Sequence, residues 1–99
     1  MIRGTTPTLE FMLPFDVGTL SDAYITMVQN RKVVLEKCIS DCECTGNCLR
    51  VKLTQEETLK LNCVHRVEIQ IRAKTITGDA IASEIITADA ERILKDGVI

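Results

Sequence analysis

The chain has no tryptophan, and its only aromatic residues are Phe11, Phe15 and Tyr24. A groove for nucleic acid combines a positive track with rings on which bases stack. Three rings and a net charge of -2, with the signs mixed along the chain, supply neither, so nucleic acid is not an expected partner. So few rings also require an aliphatic core of Ile, Leu and Val. His65 is the only histidine, and no spacing gives it partners as a zinc ligand or a base. Gly4, Gly18, Gly46, Gly78 and Gly97 are scattered and form no phosphate-cradling loop. No apolar run approaches the ~18 residues of a membrane helix. The opening "MIRGTTPTLEF" has no apolar signal region, so a reducing, cytoplasmic compartment and no membrane partner are expected. There is no internal repeat, low-complexity tract or linker, and 99 residues suffice for one core, so residues 1–99 read as a single domain.

What the chain does have is alternation with a period of two. In "TLEFML", Leu9, Phe11 and Leu13 share one face until Pro14 and Asp16 stop the run. In "SDAYITMVQ", Ala23, Ile25 and Met27 oppose Tyr24, Thr26 and Val28. Asn30 and Arg31 follow, and because asparagine tolerates positive φ, 29–32 reads as a tight turn, with "VVLEKC" as the return strand. "CLRVKL" places Leu49, Val51 and Leu53 inward and Arg50 and Lys52 outward. Thr54 and Glu57 then match a capping box, which predicts one helical turn crossing from one sheet to another. "VHRVEIQIRAK" places Val67, Ile69, Ile71 and Ala73 inward and Glu68, Gln70, Arg72 and Lys74 outward. A turn is expected at Gly78-Asp79. "IASEIITADAERIL" reads as a strand burying Ala82, Ile86, Ala88 and Ala90, in preference to a helix joining Ile85, Ile86, Ile93 and Leu94 with Gly97 as its C-cap. The tail "KDGVI" is expected to be loose or to pair at a sheet edge. About seven short strands with turns between them predict an all-β antiparallel sandwich or small barrel.

Four of the five cysteines lie in "CISDCECTGNC" as Cys38, Cys42, Cys44 and Cys48, and the fifth is Cys63. Structural zinc sites use paired knuckles in which a tight turn brings two thiolates to one ion. Here the intervening residues number three, one and three, which suits such a site poorly. Thr45-Gly46-Asn47 reads as a three-residue hairpin loop setting Cys44 opposite Cys48, within disulfide range. Three readings therefore stand side by side: free thiols packing as small apolar side chains, an oxidised Cys44–Cys48 pair, and a metal or redox centre on Cys38, Cys42, Cys44 and Cys48. A reducing compartment favours the first, so no metal and no cofactor is expected. Cys63 and His65 share the inward phase of the following strand and are expected in or near the core.

Catalytic signals are absent from the pattern. A cysteine nucleophile needs a base within hydrogen-bond reach, and no local motif selects a partner for His65. Glu56 and Glu57 are adjacent, and on a helix they point apart, so they do not form an acid–base pair. No catalytic residue is assigned, and an enzyme is not expected.

The segments "IRGTTPTLEFMLPFD", "ITMVQNRKVVLEK", "VKLTQEETLKL" and "VEIQIRAKTITGDAIASEII" together resemble a group of small proteins encoded in the structural-gene clusters of tailed phages and prophages. They also resemble the immunoglobulin-like N-terminal module of siphophage baseplate upper proteins. The resemblance spans nearly the whole chain. It implies an immunoglobulin-like β-sandwich that serves as a tail or baseplate component without enzymatic activity. Its implied partners are other phage structural proteins and further copies of itself, and its implied location is the host cytoplasm during assembly and then the virion. "CISDCECTGNC" is where the chain departs most from the group, which implies that the thiols are not what such proteins use. A sugar-binding role would rest on Tyr24 alone.

Overall fold

The computed structural model describes residues 1–99, and its strands follow the alternation. Strand β1 (Thr8–Met12) is followed by a 3-10 turn, Val17–Thr19, and by the long strand β2 (Leu20–Gln29). Strand β3 (Lys32–Cys38) returns through Asn30 and Arg31, whose φ angles of 50° and 63° give the left-handed pair that a two-residue hairpin turn requires. A second 3-10 turn, Ile39–Asp41, leads to strands β4 (Glu43–Thr45) and β5 (Cys48–Lys52). Helix α1 (Gln55–Leu59) crosses to strand β6 (Val67–Thr75), and strands β7 (Ala80–Ala82) and β8 (Ile86–Ala88) close the fold.

All pairings between the strands are antiparallel, and they form two sheets. One has three strands in the order β1-β5-β4, and the other runs β3-β2-β6-β7, with β8 also on β6. This is immunoglobulin-like connectivity. β1, β5 and β4 take the places of strands B, E and D, and β3, β2, β6 and β7 those of C′, C, F and G. A first strand A is missing. Instead Met1–Arg3 runs parallel beside Asp89–Glu91 through the Ile2–Glu91 bridge, where the Glu91 N–H donates to the Met1 carbonyl and the Glu91 carbonyl accepts from the Arg3 N–H. The eighth strand arises because the last strand is split at Ser83–Ile85, where a serine side chain replaces a ladder partner. The Ser83 N–H donates to the Ile71 carbonyl at 2.8 Å, and its hydroxyl accepts from the Ile71 N–H at 3.0 Å.

The core lies between the sheets. Leu49, Val51 and Leu53 on or beside β5 face Ile25 and Met27 on β2, Leu35 on β3, and Val67, Ile69 and Ile71 on β6. Each such side chain removed from water contributes about 1.5–3 kcal/mol. The disulfide-and-tryptophan centre of an antibody domain has no counterpart here, and aliphatic packing joins the layers, as the sequence leads one to expect.

The crossing helix is held at both ends. Thr54 Oγ1 accepts from the Glu57 N–H while Glu57 Oε1 accepts from the Thr54 N–H, the reciprocal capping box expected from the sequence. Arg3 closes the other end by donating to the carbonyls of Leu61 at 2.5 Å and Leu59 at 3.0 Å. The helix carboxylate Glu57 also meets the Lys37 ammonium of β3 at 2.5 Å, with both side chains more than four-fifths buried.

Several expectations change. The core-facing phase of β6 does not extend back to Cys63 and His65, which are both exposed. Asn62 to Arg66 is a loop, because Asn62 Oδ1 accepts from the N–H groups of Val64 and His65 and folds the chain before β6 begins. In the last segment the strand preference over helix is right, but its buried face is not. Ala82 and Ile86 are exposed, Ala88 is half-buried, and only Ala90 is buried, because the break at Ser83 resets the alternation. Ile81 packs on the core instead. The tail is tied down: Ile99 exchanges two hydrogen bonds with the Gln55 side chain.

The Lys37–Glu57 contact generates a prediction with a sign. Burial alone would raise the Glu57 carboxyl, but the Lys37 ammonium and the Thr54 N–H outweigh it and hold it below the usual carboxylate range. A depressed carboxylate adds stability above its unfolded value, near 4.5, and that stability is lost as pH falls through the lower folded value. Urea unfolding of Glu57→Gln should show a loss of about 1–3 kcal/mol at pH 7. The gap to wild type should narrow as the acid limb is entered; a gap that is constant with pH would contradict the assignment.

Candidate functional site

The cysteine segment is the first place to look, because soft ligands are concentrated there. The hairpin register decides against the oxidised pair. Thr45 lies opposite Cys48 and Cys44 opposite Leu49, so the loop has two residues, Gly46 and Asn47, rather than three. Gly46, at φ 58°, supplies the positive angle that a two-residue loop with glycine first requires. The one-residue difference puts Cys44 and Cys48 on opposite faces of the sheet. All five cysteines are free: Cys48 is buried, Cys38 and Cys42 are half-buried, and Cys44 and Cys63 are exposed.

The turn after β3 has its own hydrogen-bond logic. Asp41 Oδ2 accepts from the Cys38 N–H at 3.0 Å and from its thiol at 3.3 Å, which holds the Asp41 carboxyl below its ordinary range. The Cys38 sulfur lies 2.9 Å from Ser40 Oγ. The Cys42 thiol donates to the Cys38 carbonyl at 3.4 Å and packs against the core. Burial, with smaller contributions from Cys44, Asp41 and Cys38, pushes the Cys42 thiol up to about 11. A thiol so held is not the thiolate that nucleophilic cysteines present. No group of three or more His, Cys, Asp or Glu side chains lies within reach of one ion. The structure therefore does not gather Cys38, Cys42, Cys44 and Cys48 into a centre. Glu56 and Glu57 also separate: Glu57 turns to Lys37 and the helix cap, while Glu56 is exposed.

One residue missed in the sequence organises the loop that carries His65. Gln29 lies at the end of β2, in phase with Ile25 and Met27, and is 2% exposed. Its amide nitrogen donates to the carbonyls of Asn62 and His65 at 2.7 and 2.8 Å, and its amide oxygen accepts from the Asn62 N–H at 2.9 Å. The phase was the available signal, since Gln29 continues the series Ala23, Ile25, Met27. This is a structural clamp rather than a reactive site.

The remaining candidates are surfaces. An apolar cleft of about 300 Å³ opens where Leu13-Pro14-Phe15 leaves β1, and its far wall is Ile71, Ala73 and Ile81. On the outer face of the three-stranded sheet, opposite charges sit side by side, and Arg50 Nε donates to Glu10 Oε1 at 2.8 Å. The outer face of the five-stranded sheet is different. Its β6 row reads Glu68, Gln70, Arg72, Lys74, with Val28, Thr26, Tyr24 and Asp22 as the neighbours on β2. Glu36 lies beyond Thr26 on β3, and its carboxylate accepts from the Thr26 hydroxyl at 3.3 Å. None of Glu36, Glu68, Arg72 and Lys74 belongs to an ion pair; Glu68 lies toward one end of the face, Glu36 at its middle, and Arg72 and Lys74 toward the other end, where Asp22 lies opposite Lys74. Tyr24 lies opposite Arg72, half exposed, with its hydroxyl donating to Asp22 at 3.0 Å.

The sheet edges are all blunted. β1 is five residues long between Pro7 and Pro14, β4, β7 and β8 are three residues each, and β3 carries a bulge at Val34 beside Lys32. Docking by strand addition is thereby discouraged, and the faces are what the molecule presents. No helix is long and apolar enough to cross a membrane. Comparison with family models, with curated proteins and with solved structures finds no match to the chain.

Thiol accessibility separates the positions experimentally. With an aromatic disulfide reagent on the native protein, Cys44 and Cys63 should react first, and Cys48 only on unfolding. Cys44→Ser should leave stability within about 0.5 kcal/mol of wild type. A slow Cys44 in the native, reduced protein would contradict its exposed position.

Proposed function

We propose that the protein is a non-enzymatic structural adaptor of a phage or prophage particle, in the tail or baseplate, acting through protein–protein contacts. The observation that supports this most is surplus surface. The chain exposes 6396 Å². A folded monomer of 11.0 kDa is expected to expose about 5,600 Å². The difference is about the ~800 Å² that each partner loses in a standard interface. Met12, Val33, Val64, Ile76 and Ile85 are all more than half exposed, so large apolar side chains form part of that surface. The flat, elongated shape, 47 × 26 × 17 Å, offers broad faces in proportion to volume.

The resemblance of the "RGTTPT", "LPFD", "LTQEET" and "VEIQIR" segments to phage structural-cluster proteins supplies the setting. In that setting the partners are other particle proteins and further copies of the chain, and the location is the host cytoplasm during assembly and then the virion. The metal or redox alternative gains nothing from the thiol geometry described above.

Quantitative mass spectrometry of purified particles tests the proposal. The chain should be present at a fixed copy number relative to tail or baseplate proteins and should survive a salt wash. Absence from intact particles, or loss at low salt in variable amount, would overturn it.

A further inference from the structure

We infer that the outer face of the five-stranded sheet is a self-complementary surface on which a second copy of this chain docks face to face about a two-fold axis. The inference deepens the reading of the protein as an assembly module by naming one of its partners.

The argument begins with the β6 row. Glu68 and Arg72 lie two residues either side of Gln70, each about 6.6 Å from it along the strand. A two-fold axis crossing the strands at Gln70 reverses strand direction and turns the face over. Each Glu68 then meets the partner's position 72, and each Arg72 the partner's position 68. Facing sheets pack about 10 Å apart, a gap these side chains span. One interface therefore gains two ion pairs from charges that have no ion partner within the chain.

Shape follows the same axis. Val28 and Ile85 border a shallow depression beside Glu68 and Gln70. Ala80 lies beside Tyr24 and Arg72, around a second depression. The axis sets Val28 of one copy over Tyr24 of the other, because these two lie on β2 opposite Glu68 and Arg72. The central row does not oppose this closely: Gln70 donates to the Ser83 carbonyl at 3.0 Å, and Glu36 is drawn toward Thr26, leaving that row low. Sheets pack at an angle of about 30°, which carries the two Glu36 edges apart.

Area sets the strength. Four strands at ~4.8 Å spacing and about 30 Å of strand length give a footprint of roughly 550 Å² per copy, below the ~800 Å² of a standard interface. The dimer should therefore be reversible and concentration-dependent.

Sedimentation equilibrium from about 10 µM to about 1 mM, with Glu68→Lys, Arg72→Glu and the double exchange, tests the geometry. Wild type should show a monomer–dimer equilibrium weakened by salt. Each single reversal creates two like-charge contacts per dimer and should weaken association about tenfold or more. The double exchange should restore it. So should an equimolar mixture of the two single variants, since Lys at 68 then faces Glu at 72 and Arg72 faces Glu68. A wild type that stays monomeric throughout, or a mixture no stronger than its components, would overturn the inference. Both sites are exposed and should tolerate reversal. If either variant misfolds, wild-type amide shifts on dilution decide instead: they must map to Tyr24, Thr26, Gln70 and Arg72, and a map on the three-stranded sheet refutes the axis. A monomer that is nonetheless present in particles refutes this inference alone, and a dimer absent from particles refutes the functional reading alone.

Discussion

The fold depends on one aliphatic seam. Leu49, Val51 and Leu53 have no aromatic plate and no disulfide to lean on, and they meet Ile25, Met27 and Ile69 across the gap between the layers. With so few rings, each layer must present its branched side chains in strict alternation, because a one-residue slip would turn the whole row to water. That requirement explains why β2, β5 and β6 read so clearly in the sequence. It also explains why the only buried polar side chains, Gln29 and Thr58, are fully engaged in hydrogen bonds. Thr58 donates from α1 to the Thr5 carbonyl at 2.8 Å, and Gln29 holds the loop that leads into β6. Both act where the chain must leave one layer and enter the other.

The crossing from β5 to β6 is where such a sandwich could lose its register. Three contacts prevent it. The capping box fixes where α1 begins, Lys37 ties the same Glu57 to the opposite sheet, and Arg3 closes the helix end from the N-terminal segment. An exposed ion pair would be worth little, but this one is mostly removed from water and shares its carboxylate with a backbone donor. Met1–Arg3 takes part although no strand A forms, so the first residues have a structural role without adding a strand to a sheet.

The legible parts of the sequence were those governed by local rules. The Asn30-Arg31 turn, the Thr54–Glu57 box and the inward rows of β2, β5 and β6 each follow from neighbours a few positions away. The errors arose where a non-local partner or a single loop residue intervened. Cys63 and His65 continue the β6 alternation on paper, but Asn62 folds the chain first, so phase carried no information there. Cys44 and Cys48 stand opposite each other only if the loop has three residues, and Gly46 permits two. Ile86 lost its expected burial to the break at Ser83, which only the Ile71 backbone explains. For the site, the outward charges of β6 could be read directly. Their relation to Tyr24, Val28 and Glu36 needed the strand order, which joins residues more than thirty positions apart.

Blunted edges and charged sheet faces are consistent with one strategy. A sandwich that left long edges open would recruit any extended peptide, whereas shortened, bulged and proline-flanked edges leave only faces for recognition. A face recognises through pattern, and a row with Glu68 on one side of Gln70 and Arg72 on the other distinguishes orientation as well as partner. Such contacts are individually weak because their footprint is small. Within an assembly holding many copies, a weak contact suffices, since tethering of neighbours raises the effective concentration of each surface into the millimolar range. The same weakness protects free chains from premature association while they are dilute. Under the proposed assembly role, the modest size of the β6 face would leave it silent when dilute and occupied only where local concentration is high.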